Sequence, residues 1–440
     1  MIVLPDTPPT ALSLSRTSAS SHLLSLRAAI VQKNDDSNDT TSYLINLEEY
    51  LQALTKAVHD KTLTYESTLY EEIPWSNIKH SKKHKLEKIR SSSHEAEKIT
   101  WTVRHEIYMV VLAITLTYLK KAAEVTNSLI DIETENVDEY NENWKRIMVY
   151  YKTAISFILY GIELSKSEPS DVSLKINPML MSTIHKISQI SIQIVILIKF
   201  SWINRNSFQY KDETIQTENN STLSKVAIYI LQESKIIKTL IGNLSTKDSQ
   251  YFTLDHTNWI SYLDVVEKYI DGYAGLFLSL HMYKEDKLGD AIGLVHFSLL
   301  SLQSKKAVTE VNQTSKNPLR HVKAKFSTKK NEAILSNLNS VSSLKIDKSA
   351  FSDKPTSSSK LILNDLNYLF DQLIKLNLKF TKENDNLKFD KVASWTDIFV
   401  DNKWPTGSPI PISKIDPYNP SASTVASGEK SEYAGRGAYY

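Results

Sequence analysis

Residues Ile187–Trp202 read ISQISIQIVILIKFSW, and the nature of that stretch decides the fold. From Ile187 to Ile198 run 12 uncharged residues, fewer than the roughly 20 a helix needs to span hydrocarbon. Lys186 and His185 close the run on one side, and Lys199 and Arg205 on the other. A lysine near the centre of a span would add about 2.5–3.5 kcal/mol to insertion, so the stretch reads as a helix of a protein core. Advancing 100° per residue puts Ile187, Ile190, Ile194, Leu197 and Ile198 in one stripe about 100° wide. Ile192, Ile196 and Lys199 fall nearly opposite it. Two accounts fit: a helix buried on all sides, or a core helix with a second apolar strip edged by a lysine.

The rest of the chain sets the same class. Glycine (10) and proline (13) are scarce in 440 residues, and long apolar-periodic stretches are joined by polar ones, the pattern of helices rather than sheets. Helices are predicted over Asn46–Glu66, Glu97–Ile130, Asp138–Lys166, Pro178–Asn204, Thr222–Leu244, Thr257–Lys284, Leu288–Val308 and Lys360–Lys382. The segment Asn204–Thr222 is polar and reads as a long surface loop. Residues 1–402 form the helical domain, and 403–440, rich in Pro, Gly, Ser and Tyr, an extended or disordered tail. Pro409, Pro411, Tyr418, Tyr433, Tyr439 and Tyr440 make that tail a candidate linear motif.

There is no cysteine, which excludes disulfides and thiolate metal sites and suits a reducing, cytoplasmic setting. The 52 basic and 50 acidic residues nearly cancel, so no nucleic-acid partner is indicated. Local basic runs remain, with Lys82, Lys83 and Lys85 in one and Lys323, Lys325, Lys329 and Lys330 in the other. Either could touch an anionic membrane surface, which supplies a rival reading as a membrane-surface helical scaffold. Metal-ligand spacings, phosphate loops and nucleophile elbows are absent. DHTNW (Asp255–Trp259) fits a helix start better than a catalytic site. The expectation is a non-enzyme without cofactor or metal.

Within Thr222–Leu244, Leu223, Val226, Ala227, Ile230, Ile237 and Ile241 form the core stripe, with Ile228 and Leu231 on a flank shared with Lys235. Paired with Ile192, Ile196 and Lys199, these outline a shallow apolar groove with a basic rim, suited to an amphipathic helix carrying acids. Tyr273–Leu300 has the arrangement of a tetratricopeptide-like hairpin, with Gly289 and Ala291 small enough for helices to meet closely.

KISQISIQIVILIKF (Lys186–Phe200), SKVAIYIL (Ser224–Leu231), the hairpin, and NDNLKFDKV (Asn384–Val392) together resemble the Bro-type domain family, the boomerang-shaped Alix-like modules. LPDTPPTALSLSR near the start, LSLRAAI (Leu24–Ile30), YLINLEEYLQAL (Tyr43–Leu54), WSNIK (Trp75–Lys79), HEIYMVVLAITLTYL (His105–Leu119) and the ending YAGRGAYY narrow it to that family's fungal ambient-pH response regulators. The resemblance implies an all-α fold with a small β-element and no catalysis. It also implies recruitment of the C-terminal helix of an ESCRT-III subunit, other ambient-pH pathway components as partners, and peripheral placement at the plasma-membrane cortex or endosome. The family's ESCRT-III patch falls on Ile196, Lys199, Ala227, Ile228 and Leu231. The family often has an aromatic residue where Ile196 stands, and Ala227 replaces a larger aliphatic. On this reading Ile196→Asp or Leu231→Asp removes partner binding and spares stability.

Overall fold

The computed structural model describes residues 2–13, 20–31, 40–80, 99–169, 174–210, 215, 218–244, 251–302, 357–394 and 404–420. Nine α-helices lie in these segments: α1 Ser21–Ala29, α2 Thr40–His59, α3 Val103–Ile130, α4 Asn141–Lys166 (led in by a 3-10 turn at Val137–Tyr140), α5 Pro178–Tyr210, α6 Asn220–Leu244, α7 Trp259–Lys284, α8 Leu288–Ser301 and α9 Ser357–Glu383, which ends in a π turn at Asn384–Lys388. Sequence neighbours are spatial neighbours from α2 onward, each helix packing on the next, and α9 also reaches back to α3 and α7. The molecule is all-α in class.

Five short strands supplement the helices. β1 (Thr68–Tyr70) pairs antiparallel with β3 (Trp101–Thr102). β5 (Tyr251–Leu254) lies between β2 (Ile78–His80), antiparallel to it, and β4 (Lys175–Ile176), parallel to it.

The core centres on α3, whose flanks from Trp101 to Thr117 are buried without a break. Most of its neighbours are therefore apolar, and its buried charged and polar side chains Arg104, His105 and Glu106 each find a polar partner. Its start is fixed by a reciprocal cap, in which Thr102 Oγ accepts from the His105 backbone N–H at 3.4 Å and His105 Nδ1 accepts from that of Thr102 at 3.1 Å. The other ring nitrogen of His105 donates to Glu168 Oε1 at 3.1 Å, and Glu168 Oε2 accepts from Ile176 N–H at 2.9 Å. One histidine thus ties α3 to β4.

Several expected boundaries shift. α1, nine residues long, is too short for its apolar periodicity to stand out. α3 begins at Val103, not near Glu97, because Trp101 and Thr102 are taken by β3. α5 runs on to Tyr210 and α6 starts at Asn220, so the Asn204–Thr222 loop is short. Asn206 explains part of the extension: its amide donates to Trp202 O at 2.9 Å inside the helix, and its carbonyl accepts from Thr134 N–H.

In the α7–α8 hairpin the close approach is made at Gly275, where an added Cβ would lie 1.9 Å from Ser298 Oγ and 3.0 Å from Leu294 O. Gly289 serves a different neighbour: an added Cβ there would lie 2.3 Å from Lys391 O.

Candidate partner-binding surface

α5 explains the stretch that opened the reading. Asn177 Oδ1 accepts from Met179 N–H at 2.9 Å at its start, Pro178 suits the first turn, and α3, α4 and α6 pack around it. By length and composition Val137–Lys166 and Pro178–Tyr210 are both apolar enough to cross a membrane, but 78% of the most apolar window of α5 is buried inside the fold. Its middle is covered on every side.

That packing corrects part of the expected groove. Ile192 and Ala227 have no accessible surface, and Ile196 and Ile228 keep 8% and 7%. Ile192 and Ala227 are core residues, out of a partner's reach. Ile196→Asp would bury a charge, so it is expected to harm folding as well as any binding. Leu231 is half-buried against the core and Lys235 is exposed.

Nor do the two helices bring the predicted residues together. Lys186 of α5 pairs with Glu233 of α6 at 2.9 Å, which fixes the antiparallel register. Ile196 lies ten residues beyond Lys186, and Leu231 only two before Glu233, an axial offset of about 12 Å at 1.5 Å per residue. They also turn to different neighbours. Lys199 Nζ donates to Asn141 Oδ1 of α4 at 3.0 Å, whereas Lys235 acts electrostatically on Asp271 of α7.

What survives on α5 is a strip at i, i+3, i+4 and i+7: Ile196, Lys199, Phe200 and Ile203. Phe200 and Ile203 are partly buried hydrophobic residues packed against the core. Sequence reasoning passed over both, although their spacing from Ile196 was there to read. Lys199 is half-buried with a neutral hydrogen-bond partner and no ion pair among the described residues. Burial, seconded by Lys145 and opposed more weakly by Asp138, holds its amine below the usual lysine range. A carboxylate from outside would stabilise the charged form and gain from the reduced local screening.

Beside this strip runs the C-terminal segment 404–420, which is extended but docked on the helices instead of a free tail. Trp404 packs edge-on to Phe297 of α8 at 5.4 Å. Gly407 crosses α6 so closely that a Cβ would stand 2.6 Å from Tyr229 N, and Ser408 N–H donates to Lys225 O at 3.1 Å. On α5 the Gln193 side chain clamps Ile410, donating to its carbonyl and accepting from its N–H, both at 2.9 Å. Proline has no N–H, so between Pro409 and Pro411 the Ile410 N–H is the one donor, and Gln193 takes it. On α4, Tyr418 N–H donates to Ser156 O at 3.0 Å and the Tyr418 ring stacks on Phe157 at 4.4 Å.

Lys82, Lys83, Lys85, Lys323, Lys325, Lys329 and Lys330, with Tyr433, Tyr439 and Tyr440, lie outside the described residues. Asp255, in the DHTNW stretch, turns on Thr257, accepting from its N–H at 3.0 Å, and pairs with Lys79 at 2.6 Å. Partial burial opposes ionisation there, but these hydrogen bonds prevail and hold the carboxyl down at about 2. Among the described residues no group of three or more His, Asp or Glu side chains is placed to hold a metal ion.

A family model described as "Family of unknown function (DUF5355)" matches residues 101–440. No curated protein matches the chain. A solved structure described as "Structure basis for endosomal targeting by the Bro1 domain" is similar with a TM-score of 0.40 at 14% identity, over 81% of this chain and 87% of that one.

Proposed function

For a chain that belongs to DUF5355, a family of unknown function, we propose the role of a non-enzymatic helical adaptor that binds the C-terminal amphipathic helix of an ESCRT-III subunit. On this reading it resembles the fungal regulator PalC. It links that machinery to the ambient-pH signalling complex, which activates a transcription factor by proteolysis, and it acts from the cytoplasm at the plasma-membrane cortex or endosome. The Bro-type motifs read in the sequence support the partner class. The observation that carries the reading is Lys199, a half-buried cation with no salt-bridge partner among the described residues, set in a strip of apolar side chains.

A helix laid along Ile196, Lys199, Phe200 and Ile203 would bury its apolar side there and offer an acid to Lys199. Covering the remaining surface of Phe200 and Ile203 contributes about 25 cal/mol per Å². The ion pair contributes register and encounter rate more than affinity. Leu231 and Lys235, offset along α6, would meet a partner only if it continued past the C-terminal segment.

The test is calorimetric titration of the full chain with an ESCRT-III C-terminal peptide. Lys199→Met and Phe200→Ala are each expected to weaken binding at least tenfold. The melting temperature of Lys199→Met is expected to stay level or rise, because a desolvated charge has been removed. Unchanged affinity in both variants would overturn the strip as the docking site.

A further inference from the structure

Beyond that strip, where α5 nears its C-terminus, α5, α7 and α9 enclose a cleft of about 100 Å³. Its apolar lining includes Phe208, Leu280 and Leu376, of which Leu280 and Leu376 are buried. Of its three carboxamides, Gln209 is exposed and donates to Glu133, whereas Asn204 and Gln372 are each 7% exposed. The Asn204 side chain makes no hydrogen bond among the described residues. Gln372 uses its carbonyl to accept from the Ser201 hydroxyl at 2.8 Å, and its NH₂ has no partner among the described residues. Their polar atoms open on the cleft rather than on the core, and they line a space large enough for one aliphatic side chain.

We propose that this cleft binds an extended segment of a partner protein, taking one branched apolar side chain into its base and pairing the main chain with Asn204 and Gln372. Charge argues for a neutral group: Arg205 and Lys375 among the lining residues are balanced by Glu133 and Asp371. Arg205 is moreover already engaged, stacked 3.9 Å from the centre of the Tyr368 ring and donating to Ile130 O. A main-chain amide is neutral, and it both gives and accepts a hydrogen bond, as a carboxamide does. The same chemistry operates at Gln193, whose side chain reads the N–H and C=O of Ile410. The site is separate from the strip around Lys199, so the two succeed or fail independently.

The probe is N-acetyl-leucine N-methylamide, titrated into the full chain and followed by saturation-transfer NMR. N-acetyl-glycine N-methylamide, N-acetyl-leucine and free leucine serve as comparisons. Saturable binding of the blocked leucine, at least tenfold tighter than the glycine analogue and tighter than either charged probe, is expected. Asn204→Leu should weaken it at least tenfold while the melting temperature holds or rises, with Asn204→Ala as the second variant if leucine overfills the cleft. Preference for a charged probe, or wild-type binding by the folded Asn204 variants, would overturn the proposal.

Discussion

Glu106 has no accessible surface, yet it is a carboxylate, and its four neighbours explain how it is tolerated. Arg27 Nε donates to Oε1 at 2.7 Å and Tyr50 to the same oxygen at 3.2 Å, while the indoles of Trp75 and Trp101 donate to Oε2 at 2.8 and 2.9 Å. Arg27 spends its remaining donors on Leu12 O and Pro74 O, at 3.2 and 2.6 Å. One ion pair therefore fastens the N-terminal segment, α1, α2, the β1–β2 connection and α3 to each other. Glu106→Gln keeps the shape but leaves the Arg27 charge uncompensated, and the loss expected is about 3–5 kcal/mol. Urea unfolding with an unchanged slope would measure it. A loss under about 1 kcal/mol would mean that water or another acid replaces the carboxylate. The sequence displayed the parts, WSNIK and HEIYM, without their connection. Helical periodicity reports which residues share a face, and Arg27 meets Glu106 across 79 positions. The same blindness put Ile192 on an outer strip: a wheel shows that a second side is apolar, and only the neighbours show that it is covered.

Among the elements, α8 shows how a correct motif can be given the wrong partner. KLGDAIGLV was read as the closing helix of a hairpin, with Gly289 answering for its tightness. The hairpin forms, but Gly275 makes its contact, and the outer edge of α8 takes the chain from Asp390 to Ala393. Asp390 Oδ2 accepts from the Leu288 and Gly289 N–H groups at 3.1 and 3.4 Å, capping α8 from a hundred residues away. Ala393 N–H donates to Gly289 O at 3.1 Å. Asn384 braces the turn with both amide atoms on the Asp390 main chain, and Phe389 holds a left-handed conformation at φ 59°. NDNLKFDKV was legible as a unit; its seat was not, because no local pattern encodes a contact of that range. At Gly293 an added Cβ would stand 2.5 Å from Ala393 O, whereas at Gly242 nothing lies within 4 Å. Gly293→Ala is expected to destabilise by about 1–3 kcal/mol through overpacking against backbone. Gly242→Ala, in open space on α6, is expected to stabilise by up to about 1 kcal/mol from helix propensity alone. Thermal melts of the two variants should move in opposite directions; a rise in both would mean that the 390–393 segment yields to the added methyl, and a fall in Gly242→Ala would mean that helix propensity does not govern that site.

At the scale of the whole molecule, the segment 404–420 binds together helices that α5 and its neighbours have already stacked in sequence order. It touches α8, α6, α5 and α4 in turn, and its apolar side chains Ile412, Ile415 and Tyr418 rest half-buried on the core, with Ile410 fully so. Each anchoring hydrogen bond contributes on the order of 1 kcal/mol, and the Tyr418–Phe157 stack a similar amount. Ordering each residue costs about 1–2 kcal/mol of backbone entropy. Polar contacts of that size do not cover the ordering cost, so burial of Ile410, Ile412, Ile415 and Tyr418 supplies most of the segment's hold, and Gln193 makes two of its hydrogen bonds. Gln193→Met preserves the volume in α5 and leaves the Ile410 N–H and C=O without partners. Its expected signature is in hydrogen exchange: the Ile410 and Tyr418 amides should both exchange at least tenfold faster, while α3 amides keep their protection. Such a pattern makes the segment one cooperative unit that opens apart from the core. Faster exchange at Ile410 alone would mean that the α4 end is anchored independently by Tyr418 and Ser156. A matching rise throughout α3 would mean that the helical layers do not persist without the strap, and that residues 404–420 belong to the fold as fully as any helix.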